Sequence, residues 1–494
     1  MGVVAGRGRV AGWVALCAAL LPALGGCTLP IQRGPVADFF VKDYDLPPYR
    51  AETARLGRWR HEGRPTATSA ALGGIAGAVS GGRLRAWRAA ASGSLGGIAG
   101  AAAARVLRQT QDDPPQPEAY EVLTLALPII ATDPNKGLTF GLLPVVVFQE
   151  QARITNILAP DVTYNAIDGI GGSFRMRRFF SSTSSLALDV MGSSEGAFDN
   201  EMIYAQRRVG PREFLFYRGH VAYKTDLSTR FYGIGNDTKD DDETSYVFRR
   251  GLAVAALGIQ LPLHFTAEFQ ERIASYKIGP GRLEKTPSSR ARFPDVPGMR
   301  DRINVLTHRI RLTFDTRDSL SAPTRGVFGE FIYDVADETL GSTVGFHRFG
   351  LFFTALIPKL KGRLTTVVRV GGWIVEGRNV PFFEQSSLGG KATNRGYGDG
   401  RFVDQNMWLL NLEERWNVTS FELMGVRNVL QLAAFVDVGR VLSERDRFFT
   451  VEDAKISVGG ALRLLVPDSE LVTSIDVGFS EEGPAAFVGL DYPF

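Results

Sequence analysis

The chain has 494 residues, of which 44% are hydrophobic and 10% aromatic, and a formal net charge of +3. Basic residues are spread along it without an RNA- or DNA-binding signature, so no nucleic-acid partner is expected. A mean hydropathy near zero suits a globular protein, and equally a membrane barrel whose strands are half lipid-facing, while 55 glycines and 32 phenylalanines lean toward β-structure with tight turns.

Arg7 and Arg9 precede an apolar run from Val10 to Leu24, the layout of a secretory signal. The run is too short, and too soon followed by Gly and Pro, for a good spanning helix. It ends in Leu24-Gly25-Gly26-Cys27, which resembles the lipobox of bacterial lipoproteins. That resemblance implies a signal peptide over residues 1–26, cleavage before Cys27 and acylation of its thiol; an ordinary signal peptide with an incidental cysteine is the alternative. Cys17 and Cys27 are the two cysteines, so the exported chain can form no disulfide and must be stabilised otherwise. A closed, hydrogen-bonded barrel is one such way. Thr28, by the same resemblance, permits sorting to the outer membrane.

Residues 27–120 read as a separate periplasmic extension, broken by Pro30, Pro35, Pro47 and Pro48 and closed by Pro114, Pro115 and Pro117. Inside it, LGGIAGA occurs at Leu72–Ala78 and again at Leu95–Ala101. The glycines recur every fourth residue and resemble a glycine zipper, which on a helix gives a flat face for close packing. Each copy is shorter than the ~20 residues that span a bilayer. A hairpin dipping into membrane or lumen, and a loose Gly/Ala linker, are both open.

Residues 121–494 alternate. Ile310, Leu312 and Phe314 oppose Arg309, Arg311, Thr313 and Asp315; Val327, Phe331, Tyr333 and Val335 oppose Glu330 and Asp334. Trp408, Leu410 and Leu412 oppose Asn411, Glu413 and Arg415; Ile456, Val458, Leu462 and Leu464 oppose Lys455, Ser457 and Arg463; Ile475, Val477 and Phe479 oppose Ser474 and Asp476. Period two means one apolar and one wet face, without saying which is inside. Length favours a barrel, since about 370 residues at roughly 23 per strand give about 16 strands. The expected fold is all-β: a transmembrane antiparallel β-barrel with a Gly/Ala-rich N-terminal extension. Gly489, Tyr492 and Phe494 match the Gly-x-x-aromatic-x-aromatic ending of outer-membrane barrels, with Val488, Leu490, Tyr492 and Phe494 on one lipid-facing side. By resemblance, this ending is read by the barrel-assembly machinery.

Phe314-Asp315-Thr316-Arg317-Asp318 with Pro323-Thr324-Arg325-Gly326, then Leu388-Gly389-Gly390 through Asn394-Arg395-Gly396-Tyr397, then Phe435-Val436-Asp437-Val438-Gly439, follow one another in an informative order. Upstream stands Phe231-Tyr232-Gly233-Ile234-Gly235-Asn236-Asp237. Together they resemble the surface-antigen barrels of the outer-membrane assembly-factor superfamily (BamA/TamA type). The resemblance implies assembly, insertion or translocation of proteins or lipids at the outer membrane, with outer-membrane lipids, the assembly machinery and an unfolded outer-membrane or secreted client as partners. It implies a long loop held in the lumen by Arg395, Gly396 and Tyr397 against Glu413 and Asp437. Alternation independently puts both carboxylates on the wet face, where a folded-back loop could offer them the Arg395 guanidinium. Substrate-receiving periplasmic domains of the larger members are not recognisable in residues 28–120. A passive pore or structural barrel lipoprotein without a client is the alternative.

Enzymatic readings find little support. No Gly-x-Ser-x-Gly elbow occurs, and His61, His220, His264, His308 and His347 lack zinc spacing. The run from Asp237 to Glu243 lacks the alternation and glycine of a calcium loop and reads as a solvated outer loop. No cofactor or metal is expected.

Overall fold

The computed structural model describes residues 120–494 apart from 134, 151–152, 182, 210–213, 320–321, 424–425, 444–449, 467–470 and 490–491. Cys27 and the Gly/Ala repeat lie outside the described residues.

Alternating β-branched and aromatic residues favour strands over helices, and the described chain is built of them. The first nine are β1 (Tyr120–Asp133), β2 (Gly137–Glu150), β3 (Arg153–Asn165), β4 (Gly169–Phe179), β5 (Ser184–Ser193), β6 (Phe198–Val209), β7 (Leu215–Phe231), β8 (Thr244–Gln260) and β9 (Phe265–Pro280). Then come β10 (Ile303–Asp315), β11 (Gly326–Ala336), β12 (Phe346–Lys359), β13 (Leu364–Gly377) and two short strands, β14 (Ser386–Leu388) and β15 (Phe402–Asp404). The last five are β16 (Asn406–Leu423), β17 (Val426–Leu442), β18 (Lys455–Val466), β19 (Leu471–Ser480) and β20 (Gly483–Gly489).

The long strands form one 18-stranded antiparallel meander, each paired with the next, while β14 and β15 make a separate two-stranded ribbon. The length estimate of about 16 falls two short because connections on one rim, such as 261–264 and 360–363, are tight turns. One turn on the opposite rim, between β3 and β4, shows how the sequence closes a hairpin. Asn165 accepts from the Ile167 backbone N–H at 2.8 Å, and Gly169 takes the positive φ of +73° that ends the turn. Because strand directions alternate, the long connections 232–243, 281–302, 337–345, 378–405 and 443–454 gather on one rim, and β1 begins and β20 ends at the other. Long loops on one rim and short turns on the other is the layout of outer-membrane barrels. The Cα atoms of β1 and β20 come within 8 Å of one another.

The two faces invert the soluble rule. On β10, Arg309, Arg311, Thr313 and Asp315 are buried, whereas Ile310 and Leu312 are 47% and 43% exposed. On β12, Leu351 is 65% exposed, and on β18 Ile456 and Val458 face out while Ser457 and Arg463 are buried. Lipid satisfies an apolar outer band of this extent, and water would not. The interior is not uniformly polar. Toward the long-loop rim, Phe231, Tyr246, Ile278, Met299, Phe382 and Val403 form one apolar cluster, and Leu388, Tyr397, Phe402, Met407, Leu409 and Val441 another. Both clusters contain residues of the 378–405 connection, so that segment supplies its own core inside the sheet.

Candidate functional site

The connection 378–405, between β13 and β16, folds inward. Phe382, Glu384, Leu388, Asn394, Arg395, Tyr397, Arg401 and Phe402 are all buried. Its reversal uses Gly389 and Gly390, at φ +114° and +96°, a backbone region that side chains with Cβ rarely adopt. The tip closes on itself: the Gly390 backbone N–H donates to the Tyr397 carbonyl at 3.0 Å, and the Thr393 hydroxyl to the Gly389 carbonyl at 2.8 Å.

Arg395 stands at this tip with its side chain 0% exposed. Its Nε and Nη2 donate to the two carboxylate oxygens of Asp437 on β17, at 2.8 and 2.9 Å, and its backbone N–H adds a third bond at 3.0 Å. This is the two-pronged geometry that makes arginine–carboxylate pairs strong. Nη1 donates to Glu413 on β16 and reaches Asp476 on β19 at 3.3 Å. The guanidinium lies 3.5 Å over the Phe435 ring centroid, so an aromatic face covers the side that carboxylates leave open. Arg395, Glu413 and Asp437, brought together in the sequence reading, are in direct contact.

The cluster is larger than that reading. Arg463 on β18 donates to both oxygens of Glu413, at 2.6 and 3.0 Å, and to Asp476 at 2.8 Å. The Arg415 Nε donates to Glu413 at 2.6 Å. Asn411 bridges wall and tip, donating to Asp437 at 2.9 Å and to the Thr393 carbonyl at 2.7 Å. Arg395, Arg415 and Arg463 thus face Glu413, Asp437 and Asp476, and the formal charges cancel. Buried charges need such pairing. The sequence reading put Arg415, Arg463 and Asp476 on wet faces and missed their part in the cluster, because the partner of a wet residue depends on ladder register.

Gly396 has a role other than positive φ. A Cβ there would lie 2.3 Å from the Ser457 Cβ, and its backbone N–H donates to the Ser457 hydroxyl at 3.1 Å. Gly478 on β19 answers it from the wall: a Cβ would stand 2.2 Å from the Arg395 carbonyl oxygen. Backbone meets wall directly at both positions. Tyr397 packs in the apolar cluster with Leu388, Phe402 and Val441.

Tyr492 and Phe494 do not take the lipid-facing side expected for them, and Leu490 lies outside the described residues. β20 ends at Gly489, and Tyr492 is buried inside, its hydroxyl donating to Gln431 at 3.1 Å. Its ring lies 3.8 Å from the Arg415 guanidinium and 4.9 Å from that of Arg463. Phe494 is 5.3 Å from Arg395. The physical reason is local: the buried Arg415 Nη1 and Nη2 have no hydrogen-bond partner among the described residues, and the Tyr492 π-face supplies electron density beside them.

At the long-loop rim, Arg401 joins three segments. It donates to Glu482 of the β19–β20 turn at 2.9 Å, and to the Thr238 hydroxyl and carbonyl at 2.9 Å each. Its guanidinium lies 4.0 Å over Tyr232. Burial pushes the Tyr232 hydroxyl up to about 12, Glu243 adding to the rise and Arg401 opposing it. Asn236 donates to the Asp453 carbonyl at 2.7 Å, so the Phe231–Asp237 segment reaches across to the β17–β18 connection. The acidic run beside it is a 3-10 turn, Asp240–Asp242, with no buried residue.

Comparison with known proteins fits this architecture. Residues 169–480 match the Omp85 superfamily domain. Among solved structures, the chain is similar to BamA from Haemophilus ducreyi lacking POTRA domains 1–3, at 14% identity and TM-score 0.49, covering 78% of this chain and 76% of that one. It is also similar to CdiB from Acinetobacter baumannii, at 10% identity and TM-score 0.32, covering 77% of this chain and 61% of that one. For CdiB from Escherichia coli the values are 11% and 0.37, with coverage of 76% and 64%. No curated protein sequence matches. The family match spans well over half of the sequence, and the chain belongs to the Omp85 superfamily of outer-membrane β-barrels.

Proposed function

We propose that this barrel assists assembly, insertion or translocation of proteins or lipids at the outer membrane, and that the 378–405 loop acts as a brace locked into the lumen by Arg395. The observation that carries the reading is the fully buried Arg395 on Glu413, Asp437 and Asp476. A barrel that must deform and recover needs a fixed reference for its wall.

The proposal has three further parts, each resting on sequence. Cys27 is acylated and anchors the N-terminus on the periplasmic side, with residues 27–120 as a periplasmic extension. Gly489, Tyr492 and Phe494 serve the barrel-assembly machinery during biogenesis. The client is an unfolded outer-membrane or secreted polypeptide, or a lipid.

The test compares outer-membrane protein and lipid composition with and without the gene. Depletion of particular surface proteins or lipids, restored by the wild-type gene and not by an Arg395→Ala copy, is expected. Unchanged composition, together with steady conductance of the purified protein, would assign a passive pore instead.

A further inference from the structure

The loop meets the wall at a second place, on β9 and β12 instead of β16–β19. Phe382–Glu384 forms a single 3-10 turn. Phe382 packs on Phe231 and Tyr246, with ring centroids 4.7 and 5.5 Å apart, and Phe383 packs on Tyr276 at 4.5 Å. Between these rings the Glu384 carboxylate enters the wall, its side chain 2% exposed. It accepts from the Tyr276 hydroxyl at 2.6 Å and from Arg272 Nη1 on β9 at 3.1 Å. Arg348 Nη1 on β12 donates to the same carboxylate at 3.1 Å and to the Glu384 carbonyl at 3.2 Å. The socket is itself supported. Arg272 also reaches the Tyr276 hydroxyl, and Asp334 on β11 accepts from Arg348 Nε at 2.8 Å and Arg309 Nε at 2.7 Å.

We propose that Glu384 is a second, independent fastening of the loop, opposite in sign to the first, which fixes its register and couples the β9–β12 wall to the β16–β19 wall. At one end a base sits in an acidic socket, and at the other an acid sits in a basic one. Exchange or sliding of the ends would bring like charges together in a low-dielectric interior. The two sockets lie on different strands, so shear of the wall between them loads residues 384–395. Neither cluster shares a side chain with the other, and release of one end leaves the second end's bonds intact. This rests on the brace reading above and adds to it a second attachment point.

The test is hydrogen exchange of the full chain, folded in detergent micelles, read separately over residues 380–388 and 393–397. Glu384→Gln keeps the shape and removes the charge. Tyr276→Phe removes one donor, leaves the charges as they are, and serves where the first variant folds poorly. Both are expected to speed exchange over 380–388, Glu384→Gln by about tenfold or more, with 393–397 unchanged. Arg395→Gln is expected to give the mirror pattern. Wild-type exchange over 380–388 in both variants overturns the proposal, as does equal release of the two segments by either one. Outer-membrane composition is not read here, so failure of the second fastening leaves the assembly reading standing, and failure of that reading leaves the fastening measurable.

Discussion

Arg395→Ala is the most direct perturbation of the lock. The wall strands keep their ladders, so the cost falls on the loop. Glu413 retains Arg415 and Arg463, and Asp476 retains Arg463. Asp437 loses both prongs of its guanidinium and keeps the Asn411 amide at 2.9 Å and, while the tip stays seated, the position-395 backbone N–H at 3.0 Å. One carboxylate is left without its cation, a defect that costs about 3–5 kcal/mol when buried. Water can relieve it only if the tip leaves the wall. At about 1.4 kcal/mol per factor of ten, the released population rises by roughly two to three and a half powers of ten. Trypsin reads that population, because cleavage follows the open fraction when reclosing is fast. Lys391 and Arg401 remain as cleavage sites in the variant. The expected outcome is loop cleavage about a hundredfold faster or more, with the barrel still shifting its gel mobility on heating. Arg395→Lys, which keeps charge and loses the planar fork, should fall between. Equal trypsin resistance of wild type and Arg395→Ala, both folded, would refute the reasoning.

Gly478→Val should unseat the tip without touching any charge, since even the first carbon would lie 2.2 Å from the Arg395 carbonyl; faster exchange over 393–397 in an intact barrel is the expected result. Tyr492→Ala should cost about 2 kcal/mol from the desolvated stack on Arg415, and Tyr492→Phe about 1 kcal/mol from the hydroxyl bond alone, both read by urea titration of refolding into vesicles. Leu351→Arg, on the exposed face of β12, should cost about 2–4 kcal/mol in the same titration; a neutral effect would mean that this face does not meet lipid. Raising salt should leave loop protection unchanged, because the lock contacts are 0% exposed, whereas half-exposed Lys359–Glu414 at 3.2 Å is open to screening.

Strand identity was legible because each strand carries its own period. Arg309, Arg311 and Asp315 alternate with Ile310, Leu312 and Phe314, and both sets fall on the expected sides. The meeting of Arg395 with Glu413 and Asp437 was legible from wet-face parity together with the family resemblance. Parity says which way a side chain faces and nothing about which neighbour it meets. Arg463 reaches Glu413 across β17 only because Gln431 pairs with Arg463 and Phe435 with Glu413. Glu384 was illegible for a related reason: it lies outside any strand, and its socket is assembled from β9 and β12. Tyr492 departs from the parity of β20 because tertiary contacts with Arg415 and Gln431 override alternation there.

The character of the lock follows from the inverted faces. A soluble protein holds a buried loop by apolar contact, because its core side is apolar. Here the apolar face is committed to lipid, and the mid-wall behind it presents Glu413, Asp437, Arg463 and Asp476 inward. A loop tip entering that region can gain little from hydrophobic burial and must carry a charge that completes the set. Without the loop the wall would hold two arginines against three carboxylates, and Arg395 brings the balance to zero. The apolar half of the loop meets apolar wall only toward the long-loop rim, where Leu388, Tyr397 and Phe402 pack with Met407, Leu409 and Val441. One segment therefore uses both modes, ionic at mid-depth and apolar near the rim, each matched to what the wall offers at that height. A tip of unchanged apolar content but without its arginine would fit the rim and be expelled from the middle, which is why the single guanidinium decides where the loop lies.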